Sequence, residues 1–533
     1  MDLFSLQYVL FISILLVLYY VLPQVLPAAA RFGWVILLAA SLGFYAFSSG
    51  AALFLMLTTA FTVWAGGRLL AACDEEWKEK RKTSFPSREE KKAAKAVITH
   101  RKRRILTLVL LLNFGILAVL KYAAPLLSWS FGSGGLLLPL GISFYTFEAA
   151  SYLIDQYNGK YPAERSFLRF LLFVSWFPQL LQGPIGRYDR MRDSMFGRPH
   201  FDAERTKRAL LLILYGLVKK YAVADMLSGS ISAVLDHGSL ESLPGSLIAF
   251  AILLYSAQQY GDFSGGIDIV TGVSELFGID LAPNFRQPYF AVSLGDFWRR
   301  WHISLGAWMR DYLFYPFALL PFMQRLGKWC TKNLGTRGKH LGRVLPAGIA
   351  NLVVFSVVGI WHGPKLHYLL WGLYNGLVIA LSDLTEPFWK GLWRRRPQQK
   401  ESGGLHVFRV VRTFLIVNIG WYFDRIENVK DCMTAFAVTL TNFRPGKLTE
   451  GILTKIVAES SAFNIAGAYA LAAAGIAVMF GVSLMKERGE NVYAGLQRVR
   501  FLPRMCMVIF LMLLVAMSFL FTETSGGFLY ANF

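Results

Sequence analysis

The run SLGDFWRRWHISLGAWMRDYLFYPF, residues 293–317, sets His302 and three arginines among eight aromatic residues. Sixty positions later, VVGIWHGPKLHYLLWGLYNGL ends an apolar run on His362, directly before Gly363 and Pro364. A neutral imidazole can take a proton near neutral pH and return it within one turnover. An ionisable group within an apolar segment is costly, which makes both histidines candidates for function. Each also has a plainer reading. On a helix, Phe297, Trp301, Leu305 and Trp308 fall at spacings of four, four and three and form one apolar face, with Arg299, Arg300, Arg310 and Asp311 largely elsewhere. Such a stretch would serve as an amphipathic anchor helix with its tryptophans at headgroup level, and His362 would serve as a helix-end cap.

Other charges lie at membrane depth. Asp262, Asp268 and the pair Lys219 and Lys220 read either as internal ion pairs that hold broken helices or as contacts to substrate. The chain has no G-x-S-x-G elbow, no H-E-x-x-H, no G-x-x-x-x-G-K-[ST] and no G-x-G-x-x-G, so nothing points to ATP hydrolysis or a catalytic zinc. Cys73, Cys330, Cys432 and Cys506 are scattered and suggest neither a metal site nor a disulfide framework. Plain packing suits them better than acylation.

The elements that must position these groups are membrane-spanning. The chain is 533 residues long, 55% hydrophobic and 15% aromatic, too apolar for the surface of an ordinary soluble enzyme. Leu3 to Leu22 and Met505 to Phe521 carry no charge, and Ile105 to Leu127 carries only Lys121, against about 20 residues needed to span. The first run has no basic leader and no A-x-A-like cleavage site, so it reads as a retained anchor.

The net charge of +21 is concentrated between apolar runs, which is the positive-inside pattern rather than a nucleic-acid footprint. Twelve Lys or Arg lie between Glu75 and Arg104, with further groups at 187–208, 325–343, 390–412 and 486–504. With all five groups in the cytoplasm, the count gives roughly twelve crossings and both termini outside. The Ser228 to Ser242 gap, which has no Lys or Arg, then falls outside. One gap fits less well: Asn428 to Ser460 would be external yet holds Lys430, Arg444, Lys447 and Lys455.

No repeat or long linker divides the chain, which reads as a single membrane domain over 1–533. Its parts are N-terminal spans (1–73), a basic cytoplasmic loop with some helix (74–104), a catalytic core (105–385) and C-terminal spans (386–533). From Pro139 to Tyr374 the apolar runs are interrupted by PLGISFYTF, FPQLLQGPIGR, GLVKKYAVAD, QQYGDFSGGIDI, NFRQPYF and GIWHGP. Broken backbone at hydrocarbon depth is tolerated only inside protein or beside a water-filled cavity, so a polar passage is expected. FLLFVSWFPQLLQGP, flanked by basic residues on both sides, reads as a re-entrant segment.

YGDFSGGIDIVTGVSELFGIDLAPNFRQPYFAVSLGDFWRRWHISLGAWMRDYLFYP, followed by GIWHGPKLHYLLWGLYNG, resembles the membrane-bound O-acyltransferase (MBOAT) family, and most of all its bacterial alginate O-acetylase-like branch. PLGISFYTFEAASYLID, FPQLLQGPI, YGLVKKYAVAD and the terminal GGFLYANF are similar to that branch as well. GWYFDRIENV, with Asp424 before Arg425, departs from the W-x-F-F-R pattern common there.

The resemblance implies an all-α integral membrane protein: a multi-helix bundle with a central tunnel and with re-entrant and interfacial helices. It implies an enzyme that moves an acetyl or other short acyl group from a cytoplasmic donor to an extracytoplasmic polysaccharide or cell-envelope glycan. The expected donor is acetyl-CoA or an acyl carrier protein thioester, and no bound cofactor or metal is expected. The two family histidines map onto His362, as the main catalytic residue, and His302. Arg299, Arg300, Asp262, Trp361 and Asn375 are candidate substrate contacts. An extracytoplasmic SGNH-type acyltransferase is the expected partner, the setting is a bacterial inner membrane with its lipids, and nucleic acid has no part. Three other readings remain: D-alanyl or other acyl transfer to teichoic acid, a non-enzymatic transporter of polysaccharide or lipid-linked sugar, and a family member that acylates a protein or lipid, against which the length and the alginate-branch motifs argue.

Overall fold

A computed structural model describes residues 6–26, 31–82, 85–123, 139–236, 238–392, 403–457 and 462–521. The terminal GGFLYANF and residues 393–402 of one basic cluster lie outside that set. Among the described residues the regular structure is helical, with no strand. Six helical stretches there are long and apolar enough to cross a membrane: Leu6–Val25, Gly33–Lys82, Arg88–Tyr122, Gly335–His362, Asn464–Glu487 and Phe501–Ser518. Leu10, Ile14, Val17, Leu108 and Leu111 are exposed on them, as side chains facing lipid would be. The chain divides into two compact units, Met1–Leu211 with Val270–Ala282, and Leu212–Ile269 with Pro283–Phe533.

In the first unit, the basic segment expected as a loop is a helical hairpin. Leu53–Lys82 and Arg88–Ala118 run antiparallel, as their partners show: Thr62 with Asn113 at 3.1 Å, Asp74 with Lys102 at 2.7 Å and Glu76 with Arg101 at 2.6 Å. Ser87 caps the second helix by accepting from the Glu90 N–H at 3.1 Å, which satisfies one of its orphan donors. Charge repulsion along the basic run is offset by acids on the facing helix, so helix persists beyond the apolar part.

The re-entrant candidate in this unit is a broken helix, Phe167–Ser175 followed by Phe177–Gln182. Its irregular backbone is satisfied from within: Glu148 Oε1 accepts from the Gly186 N–H at 2.6 Å and from Gln179 Nε2 at 3.2 Å, and Gln179 Nε2 also donates to Pro184 O at 2.9 Å. Buried polar side chains replace the missing helical partners. Cys73 is buried here, as Cys330 and Cys432 are in the second unit, while Cys506 is exposed; all four are thiols.

The second unit carries both histidines. A π-helical turn, Val218–Asp225, buries Lys219 and Lys220. Lys219 pairs with Asp268 at 2.6 Å, and Lys220 pairs with Asp262 at 2.7 Å and Asp225 at 2.9 Å. These ion pairs tie the wide turn to the Gly245–Leu276 helix. The helix Gly335–His362 turns back through Gly363, Pro364 and Lys365 into Leu366–Leu392. The two cross closely: a Cβ on Gly359 would stand 2.4 Å from Tyr368 O, and one on Gly372 2.2 Å from Phe355 O.

Candidate active site

The stretch 293–317 is not the single amphipathic helix its spacing predicts. It breaks at His302, which lies in the left-handed region at φ 46°: the short helix Leu294–Arg300 precedes it, and Ile303–Met309 follows and runs on through the π-helical Arg310–Phe314 into Tyr315–Ala318. The cause is Asn284. Its Oδ1 accepts from the Ser304 N–H at 3.0 Å and the Ser304 hydroxyl at 2.8 Å, and lies 3.2 Å from His302 Nδ1. Its backbone O accepts from the Ile303 N–H at 2.9 Å. These bonds replace the helical hydrogen bonds that the break removes and hold a conformation costly for a residue with a Cβ. The apolar spacing still has meaning, since Phe297, Trp301, Leu305 and Trp308 are all buried. Trp301 packs against Phe285 at 5.1 Å, Phe297 at 5.4 Å and Trp421 at 5.4 Å, inside protein rather than at a headgroup belt.

His302 is 1% exposed and meets Phe263 edge-on at 4.8 Å. It lies outside the long spanning helices, and burial pushes its pKa below the ordinary imidazole value, which favours the neutral ring. Asn284 Oδ1 can only accept, so the hydrogen-bond network assigns the ring proton to Nδ1. Nε2 then carries the lone pair.

His302 lines a cavity of about 700 Å³. Trp298, Leu305, Met309, Val354, Phe355 and Val358 give it an apolar wall, and Arg286, Arg299 and Arg310 bring three cations to it. All three arginines are exposed while His302 is buried, so the charges stand toward solvent and the imidazole stands deep. Asn351, Phe355 and Val358, all on the lining, are spaced by four and three residues along Gly335–His362. His362 follows after four more on the same helical face, one turn beyond the lining.

His362 is 4% exposed and is surrounded by aromatic rings: Trp361 and Trp371 at 5.0 Å each, and Tyr368 stacked at 5.8 Å. Trp361 also lies 6.3 Å from the His302 ring, so it neighbours both histidines. A second aromatic connection runs from the cavity wall. Trp298 is 5.5 Å from Trp371, and its Nε1 donates to Asn375 Oδ1 at 3.0 Å. Asn375 is thus placed to orient Trp298, and its Nδ2 donates to Trp371 O at 2.8 Å.

The remaining candidates are placed differently. Arg299 is on the cavity, but Arg300 turns away: its Nε lies 3.0 Å from Asp296 Oδ2 and its Nη1 2.7 Å from Glu487 Oε2. Asp262 is held in its ion pair with Lys220 and is not on the cavity lining. Sequence reasoning did not single out Asn284, Arg286, Tyr368 or Trp371. Asn284 and Arg286 do lie in NFRQPYF, one of the breaks that signalled irregular backbone.

With this geometry in hand, comparison with known proteins is informative. The family model for the membrane-bound O-acyltransferases matches residues 162–329. The probable alginate O-acetylase of Azotobacter vinelandii is 31% identical over 83% of this chain and 79% of its own length. That of Pseudomonas syringae pv. tomato is 35% identical over 55% of this chain, which spans half of that relative. The peptidoglycan O-acetyltransferase of Helicobacter pylori is 29% identical over 62% of this chain and 64% of its own length. With buried histidines on a broken, multi-helix membrane scaffold and this extent of similarity, the chain belongs to the membrane-bound O-acyltransferase family.

Proposed function

We propose that this chain is a membrane O-acyltransferase that moves an acetyl or other short acyl group from a cytoplasmic thioester donor toward an extracytoplasmic polysaccharide or cell-envelope glycan. The observation that carries this reading is the cavity that reaches from three exposed arginines to buried His302, with His362 one helical turn beyond its lining on the same helix. The relatives support the acceptor class, since their names refer to alginate and peptidoglycan. Acetyl-CoA and an acyl carrier protein thioester both present phosphate and a long thiol arm, and both suit an arginine-rimmed apolar cavity.

His362 acts as general base. It takes the proton of the acceptor hydroxyl, whose oxygen attacks the thioester carbonyl. The C–S bond breaks, and the proton passes to the departing thiolate, giving an ester and a thiol. With its proton on Nδ1, neutral His302 offers Nε2 as an acceptor. It suits positioning an N–H on the donor arm better than stabilising an oxyanion, which requires a donor. Roughly twelve crossings, an inner-membrane setting, external termini and an SGNH-type partner that carries the acyl group onward complete the proposal.

Proteoliposomes loaded with radiolabelled acetyl-CoA and given an external hydroxyl acceptor test it. Ester-linked label on the acceptor, lost in His362→Ala, supports transfer. Label that crosses only as intact donor, or acceptor that crosses unmodified, would replace transfer with transport.

A further inference from the structure

The external gap that departs from the positive-inside pattern has a structural counterpart. Arg444, Lys447 and Lys455, three of its four cations, line one pocket of about 200 Å³. The other wall comes from Ser242, Leu243 and Pro244, in and just after the cation-free gap expected outside. The two walls are tied by backbone and side chain: the Gly245 N–H donates to Asn442 O at 2.9 Å, Asn442 Nδ2 donates to Leu243 O at 3.1 Å, and the Ser246 hydroxyl donates to Arg444 O at 2.7 Å. Whichever side of the membrane holds one wall therefore holds the other.

That side is also the His362 side. Arg425 pairs with Asp236 through two contacts of 2.8 Å. Lys365, three residues after His362, pairs with Glu427, and His367 Nδ1 lies 2.8 Å from Phe423 O. Residues 236, 365, 425 and 427 thus join the helix end at His362 to the segments that carry the basic pocket.

We propose that the pocket at Arg444, Lys447 and Lys455 binds an anionic group, a carboxylate or phosphate, of the glycan presented to this face. Among the described residues the lining brings Arg444, Lys447 and Lys455 together against one acid, Glu450. Ser242, Asn442 and Thr454 supply hydroxyl and amide groups suited to sugar hydroxyls. Among the described residues Leu243, Pro244 and Gly451 are the apolar ones on the lining, too little for a lipid tail, so a glycan is favoured over a phospholipid headgroup. The site lies apart from the cavity at His302, with which it shares no residue. This inference rests on the proposed acceptor side and deepens it: the pocket would hold an anionic acceptor chain while the hydroxyl to be acylated reaches His362.

The test reads binding without turnover. Full-length protein in nanodiscs of zwitterionic lipid is titrated with a fluorescent uronic acid hexasaccharide, with a glycerol-phosphate oligomer, and with the carboxyl-reduced, neutral hexasaccharide. At least one anionic oligomer should bind ten-fold or more tightly than the neutral one, and added salt should weaken it. The double variant Arg444→Gln with Lys447→Gln should lose at least ten-fold, Lys447→Arg should retain binding, and Lys430→Gln, at a cation of the same gap that is not on the lining, should bind as the unaltered protein does. Equal binding of the neutral oligomer overturns the proposal. So does indifference to the glutamine substitutions in a monodisperse protein, or a pocket that takes up anionic lipid from vesicles and neither oligomer. A protein that binds but transfers no acyl group sinks the enzymatic reading alone, and one that transfers but does not bind sinks this one alone.

Discussion

His302 Nδ1 lies 3.2 Å from Asn284 Oδ1, and that contact decides which ring nitrogen carries the proton. The same oxygen accepts from the Ser304 N–H and hydroxyl, so one amide both breaks the helix at His302 and fixes its tautomer. Asn284 is thereby a positioning residue, and its effect can be separated from plain structural support. Asn284→Ala should lower turnover about ten-fold or more through the misplaced imidazole. Asn284→Asp keeps the acceptor but adds a negative charge, which stabilises the imidazolium and raises the His302 pKa. The acid limb of the pH–rate profile should then move to higher pH. An unshifted profile in a folded, active Asn284→Asp protein would reduce Asn284 to a helix breaker.

His362 should be needed for chemistry and not for folding. It ends its helix among Trp361, Tyr368 and Trp371, and alanine, the best helix former, keeps the helical backbone there. His362→Ala should reduce acyl transfer roughly 100-fold or more, the range for loss of a general base, while the protein remains abundant and monodisperse in detergent. Full activity in that variant would return His362 to the helix-end role.

The two short motifs were legible in the sequence because ionisable residues in apolar surroundings stand out. The all-helical membrane class was legible because spans must be long and apolar. The break at His302 was not legible, because apolar residues at helical spacing are equally buried by two short helices when side chains from elsewhere satisfy the freed backbone. Asn284 does so from eighteen positions away. Arg299 and Arg300 are alike in sequence and both reach Asp296, yet Glu487 draws only Arg300 inward. The basic segment 74–104 looked like a loop because its local charge is repulsive, and only the facing acids show why it stays helical.

Neighbouring arginines should therefore fail in different ways. Arg299 is exposed and on the cavity, so Arg299→Ala should raise the KM for the donor several-fold at low ionic strength, with stability unchanged, because an exposed charge contact contributes only about 1 kcal/mol. Arg300 is inward-facing and joined to two acids, so Arg300→Ala should lower the melting temperature in detergent and reduce the yield of folded protein. Equal KM effects with no loss of stability in either variant would contradict this division.

The Gly335–His362 helix has 28 residues and is about 42 Å long at 1.5 Å per residue, enough to carry its two ends to opposite faces of a bilayer whose hydrocarbon core is about 30 Å thick. Arg337, Lys339 and Arg343 lie at its start, which the positive-inside pattern puts in the cytoplasm. Its far end, through Lys365 with Glu427 and Arg425 with Asp236, is bound to the segments that lead to Arg444 and Lys447. A cysteine at Lys339 should thus be labelled by a membrane-impermeant maleimide only after the cells are permeabilised. A cysteine at Gly446, which is exposed, should be labelled in intact cells. Both substitutions belong in a background lacking Cys506, the exposed native thiol, and the buried Cys73, Cys330 and Cys432. Labelling of Lys339→Cys from outside, or protection of Gly446→Cys in intact cells, would invert the orientation and with it the assignment of donor and acceptor sides.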